Sequence, residues 1–185
     1  MTKHFLIFVT LFFTASLGYA QSPFPDGPLP SLMIEERGEI VLEGDDFSFR
    51  PWNSEQAPSK VHILQYFGAT QSDSELFKPF IDALQESLTP GTYHVTTIIN
   101  LDAAMWGTTG FVVSEVKTNK SNFPEATIVL DEDGVGVKQW QLGKVGAGLV
   151  IVDGLGVVRH FSTEAMNGQQ VEQYVALVQG FTQQN

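Results

Sequence analysis

Val61-His62-Ile63-Leu64-Gln65-Tyr66-Phe67-Gly68-Ala69-Thr70-Gln71-Ser72-Asp73-Ser74-Glu75-Leu76-Phe77-Lys78-Pro79-Phe80-Ile81-Asp82-Ala83-Leu84 is the stretch that decides the fold. Residues 61–67 are almost continuously apolar, as a strand covered on both faces must be. Gly68-Ala69-Thr70-Gln71 breaks the run. Leu76, Phe80, Leu84 and Leu88 then recur four apart, with Phe77 and Ile81 beside them, which predicts an amphipathic helix. Thr89-Pro90-Gly91 ends it. Pro79 falls inside the helical pattern. A mid-helix proline removes a hydrogen bond and costs about 3 kcal/mol, so a kink is expected there.

Working outward, Tyr93–Asn100 reads as the next strand and Gly110–Asn119 as a helix with Phe111, Val112 and Val116 on one side. Two hairpins are expected after it. One runs from Thr127–Leu130 through Asp131-Glu132-Asp133-Gly134 into Val135–Trp140. The other runs from Leu149–Val152 through Asp153-Gly154-Leu155-Gly156 into Val157–Phe161. A last helix spans about Gln169–Phe181, started by Thr163 or Asn167. Upstream, Leu32–Ile34 and Glu39–Leu42 flank Glu35-Glu36-Arg37-Gly38 and predict a small N-terminal β-hairpin, with Phe47–Phe49 as a further strand. The order of elements implies an α/β domain, a central mixed β-sheet flanked by helices.

Residues 1–20 read as an address. Lys3 and His4 precede the apolar run Phe5–Phe13, and Gly18-x-Ala20 suits a signal peptidase. The run is too short for a helix crossing a hydrocarbon core of about 30 Å. Two segments follow: a signal peptide, 1–20, and one domain, 21–185, exported to the periplasm and not held in a membrane. The chain has 185 residues, 43% of them hydrophobic, and a formal net charge of −11. That charge argues against nucleic acid, whose phosphates call for Lys and Arg. The absence of cysteine excludes disulfides, thiolate catalysis and Cys-bound metals.

The 61–84 stretch resembles thioredoxin-like proteins. In that pattern a buried strand meets a short turn, then Cys-x-x-Cys at a helix start, then a proline five residues after the second Cys. Gln71-Ser72-Asp73-Ser74 stand at the Cys-x-x-Cys positions, and Pro79 follows Ser74 by the same interval. Leu29-Pro30-Ser31-Leu32, Arg37-Gly38-Glu39 and Ser59-Lys60-Val61 are similar to the lead-in of peroxiredoxin-type members. Phe123-Pro124 through Asp133-Gly134 is similar to their extra hairpin, and Leu149–Asp153 with Gly156 to their final one. The cis-proline of the family would fall near Ala147, where there is none. Gly38–Leu42, Phe47–Ser54 and Trp140-Gln141-Leu142 extend the resemblance to the YtfJ family, small exported bacterial proteins of this layout with no assigned activity. The resemblance implies a thioredoxin-like fold without redox chemistry. Its candidate binding face is the degenerate active-site face: Gln71, Ser72, Asp73, Ser74, Ala147 and Gly148.

Each candidate has a simpler reading. Helix N-termini attract anions, yet Ser72-x-x-Glu75 also fits a capping box that serves the helix alone. His62, His94 and His160 lie in or beside strands with no helical metal spacing, and read as structural. Asp131-x-Asp133-Gly134 hints at calcium but lacks the later ligands of such a loop. Gly146-Ala147-Gly148 precedes a strand, whereas a dinucleotide fingerprint follows one. Ser74 becomes a nucleophile only if geometry brings it a base such as His62 or His94. Trp52, Trp106 and Trp140 suit either packing or the rim of a binding face. The expected function is that of a binding or accessory protein, with no cofactor and no metal, that meets a periplasmic protein, a peptide or a small ligand. The alternative is a thiol-independent enzyme on the same face.

Overall fold

The computed structural model describes residues 26–56, 60–144 and 146–183; the expected signal peptide lies outside them. In chain order the described elements are β1 (Met33–Glu43), β2 (Asp46–Asn53), a 3-10 turn (Ser54–Gln56), β3 (Val61–Gly68), α1 (Gln71–Ser74), α2 (Lys78–Ser87), β4 (Tyr93–Asn100), α3 (Thr109–Asn122), β5 (Thr127–Asp131), α4 (Val135–Gln139), β6 (Gly148–Val152), β7 (Val158–Ser162) and α5 (Gly168–Thr182). One mixed sheet has the order β2-β1-β5-β4-β3-β6-β7. β3, β4 and β5 run parallel, while β1 and β6 flank that trio antiparallel.

β3, the strand that joins the parallel trio to β6, is almost wholly buried on both faces. Val61, Ile63 and Phe67 of β3 pack with Phe80 and Leu84 of α2 and Val175 and Val178 of α5. Alternate residues Leu64 and Tyr66 face the other way, onto Trp52, Ile98, Val129 and Trp140. α3 sets Val116 against Ile128 and Leu130 on the α2–α5 side. Each fully buried large side chain contributes roughly 1.5–3 kcal/mol. Asn167 caps α5 with a complete capping box, one of the two starts expected from the sequence.

Four local readings are corrected. The N-terminal hairpin exists, but its turn lies between β1 and β2, and residues 35–38 belong to β1. There the register slips between Ile34 and Glu39, and Arg37 and Gly38 take positive φ (59° and 71°), which is a bulge where a turn was expected. Val135–Gln139 is the helix α4, not a second hairpin strand. Asp131 decides this, because its carboxylate accepts the N–H groups of Val135 (2.9 Å) and Gly136 (2.8 Å), the first turn of α4. Pro79 does not kink a continuous helix. It sits in the first turn of α2, and α1 ends at Ser74. Proline has no N–H for the Glu75 carbonyl, which Lys78 N–H takes instead at 3.3 Å. Phe111 is exposed, and Val112, Val113 and Val116 form the packed side of α3.

Candidate functional site

The carboxyl ends of β3 and β4 open at Gly68 and Asn100, the place where parallel sheets usually hold ligands. α1 begins directly after β3, so Gln71–Ser74 stand at this mouth. Gln71, Ser72 and Ser74 are exposed and Asp73 is half-buried. Thr70, not Ser72, caps α1: its side chain accepts Asp73 N–H, and its hydroxyl donates to Asp73 Oδ2 at 2.6 Å. Ser74 donates to the Gln71 carbonyl at 2.8 Å. Gly68 leaves room beside them, since a Cβ there would lie 2.5 Å from Asp73 Oδ2 and displace that carboxylate.

A cleft of about 260 Å³ lies at this mouth, lined by Asp73, Asn100, Asp102, Lys138 and Lys144 among others. Asn100 Oδ1 accepts Asp102 N–H at 3.1 Å, and Lys138 Nζ donates to the Asp133 carbonyl at 3.3 Å. Behind the cleft, fully buried Asp131 also accepts the Tyr66 hydroxyl at 2.8 Å. Burial first, and the Asp131 charge second, push the Tyr66 phenol well above its usual range. Gly136 lets the Tyr66 ring come close, since a Cβ there would lie 2.2 Å from it. Asp131 is therefore the internal cap of α4. Among the described residues no group of three or more His, Cys, Asp or Glu could hold a metal ion.

Ala147 and Gly148 are buried, Ala147 in the core shared by α2 and α5 and Gly148 within β6 beneath Leu142 and Phe161. Neither lines the cleft, which Gly146 reaches instead. No described peptide bond is cis. Asn100, Asp102, Lys138 and Lys144 were missed in the sequence. Position alone could have found Asn100, the last residue of β4, and Asp102 in the turn that follows it.

The histidines lie elsewhere. His62 and His94 occupy the second positions of β3 and β4 and pair in register, with ring centroids 5.1 Å apart. Six residues of strand separate His62 from Gly68, roughly 20 Å, so neither ring serves Ser74 as a base. His160 stacks on Tyr174 at 3.6 Å, and burial pushes it down to about 4. Trp52 and Trp140 are buried and Trp106 is fully exposed.

A family model described as "Bacterial protein of unknown function (YtfJ_HI0045)" matches residues 25–181. The chain belongs to this family. The uncharacterized protein YtfJ of Escherichia coli (strain K12) is 34% identical over 152 residues, covering 82% of this chain and 83% of that one. An uncharacterized protein of Haemophilus influenzae is 30% identical over 183 residues, covering 98% of this chain and 100% of that one. Among solved structures, the thioredoxin-like superfamily protein SPOA0173 aligns with a TM-score of 0.59 at 12% identity, covering 83% of this chain and 97% of that one. The reduced 2-Cys peroxiredoxin of Plasmodium vivax aligns with a TM-score of 0.52 at 14% identity, covering 85% and 97%. The fold is thioredoxin-like, and this YtfJ-family chain carries no cysteine anywhere to perform thiol chemistry on it. Among its described residues no helix is long and apolar enough to cross a membrane.

Proposed function

We propose that this YtfJ-family protein is an exported binding or accessory protein of the periplasm, and that its ligand or partner meets the cleft at the carboxyl ends of β3 and β4. The observation that carries the reading is a strand–turn–helix mouth kept open in a chain without cysteine. The cleft offers carboxylates from Asp73 and Asp102 beside the amines of Lys138 and Lys144. Mixed charge of this kind suits a peptide segment or a small polar molecule, since each sign finds an opposite partner. The leader-like residues 1–20 support the compartment. A thiol-independent enzyme gains no support from Ser74, whose hydroxyl is spent on the Gln71 carbonyl.

The test is native mass spectrometry of protein taken from its own envelope fraction. The expected result is a bound species lost when Asp102→Ala and Lys144→Ala are combined. Retention of that species by the double variant overturns the reading. So does a saturable turnover that Ser74→Ala abolishes.

A further inference from the structure

The opposite end of the parallel strands carries a second cavity, of about 250 Å³. Sheet register builds its floor. His62 pairs with His94, Leu64 with Thr96, and Thr96 with Thr127, so both imidazoles and both hydroxyls share one face. Among the described residues no helix contributes to its lining. The wall comes from β1 and β2, where β1 pairs with β5 only from Arg37 to Glu39 and then parts from it. Glu39 and Arg50 close the wall, with Arg50 Nε and Nη2 donating to Glu39 Oε2 at 3.0 and 2.8 Å. Trp52 adds an aromatic surface.

The charge within this cavity cancels. Glu39 and Arg50 neutralise each other. His62, 3% exposed, is pushed down to about 3 by burial and then by His94. His94 is lowered by burial, with Glu39 raising it and Lys60 lowering it. Burial thus favours the uncharged form of both rings. Hydrogen-bonding capacity nevertheless remains. His62 Nε2 shares a 2.8 Å bond with Thr96 Oγ1, but its Nδ1 is buried without a hydrogen-bond partner. Such an atom in a folded protein calls for an explanation. Because Glu39 and Arg50 are already paired with each other, neither offers an unpaired charge to an ion, and among the described residues no group of three or more His, Cys, Asp or Glu could hold a metal ion. The volume lies below the roughly 300–1,000 Å³ of most ligand pockets, leaving room for a single ring.

We propose that this cavity is a second binding site, for a neutral polyhydroxylated molecule of single-ring size, a monosaccharide or cyclic polyol. Ligand hydroxyls donate to or accept from imidazole and threonine and donate to the Glu39 carboxylate, while Trp52 lines the cavity as an apolar contact. The inference is independent of the cleft described above.

The experiment titrates the folded protein with D-glucose, D-galactose, N-acetylglucosamine and myo-inositol. Imidazole NMR signals of His62 and His94 are followed, with His160 as the internal control. Sodium sulfate and glycine serve as charged comparisons. At least one polyol is expected to shift His62 and His94 saturably and leave His160 in place. Thr96→Val and Thr127→Val should each weaken it about fivefold. Thr127 is only half-buried, so its variant stands in if Thr96→Val fails to fold. The proposal is overturned if no polyol moves these signals, if sulfate or glycine moves them equally, or if the folded variants bind with unchanged affinity.

Discussion

The two ends of β3 and β4 share the same strands yet use their polar groups in opposite ways. At the carboxyl end, side chains are turned back on the chain: Thr70 on Asp73, Ser74 on the Gln71 carbonyl, Asn100 on Asp102 N–H, Asp131 on the start of α4. At the amino end, imidazoles and hydroxyls face one another across strands, and one imidazole nitrogen has no partner. At the carboxyl end the polar groups are thus occupied locally. At the amino end His62 and Thr96 are buried, with the desolvation cost that burial carries.

The widest gap between the ends should appear in stability. Asp131→Ala strips the Tyr66 hydroxyl and two backbone N–H groups of their acceptor, and should cost about 3–5 kcal/mol in urea unfolding. A loss under about 1 kcal/mol would mean that the carboxyl end does not depend on this buried carboxylate. Gly38→Ala comes next. Its φ is +71°, and a Cβ would sit 2.2 Å from the Arg50 carbonyl oxygen, so about 3 kcal/mol should be lost and the Glu39–Arg50 wall displaced.

Acid should weaken the amino end specifically. His62 titrates near 6.5 when unfolded and near 3 when folded. The unfolded state is thus the better proton binder, so this contribution is whole above 6.5 and drains away as pH falls toward about 3. The slope approaches about 1.4 kcal/mol per pH unit for one such group. Urea midpoints between neutral and mildly acidic pH should fall less steeply in His62→Gln than in the parent, and equal slopes would contradict the burial argument. Thr70→Ala should cost about 1 kcal/mol, as lost N-caps do, read from thermal melts. Ser74→Ala should stay within about 0.5 kcal/mol of the parent, because its hydroxyl serves only an exposed local bond.

Much of the fold could be read from residues 61–84, because burial on both faces and a four-residue apolar repeat leave few alternatives. β6 emerges for the same reason, and β7 from the turn at 153–156 that precedes it. The misreadings share a cause: each turned on a partner distant in sequence or on one backbone atom. Residues 35–38 look like a turn, yet they bulge against β2 while Arg37 and Gly38 pair in register with Asp131 and Leu130 of β5. Asp131-Glu132-Asp133-Gly134 looks like a hairpin turn until the Asp131 carboxylate is seen holding α4. Of the candidate face, Gln71–Ser74 form α1 directly after β3 and Asp73 alone among them lines the cleft, while Ala147 and Gly148 are buried. The amino-end cavity was illegible, since only sheet register brings His62, His94, Thr96 and Thr127 onto one face.

β1 seats itself between β2 and β5, and Arg37 forms an ion pair with Glu132, 95 residues further along. Closing so long a loop is entropically costly and slow compared with forming a neighbouring hairpin. The early part of the chain therefore cannot complete its sheet until residues near 131 are available. A polypeptide built this way stays pliant while it emerges, and locks only when its second half arrives.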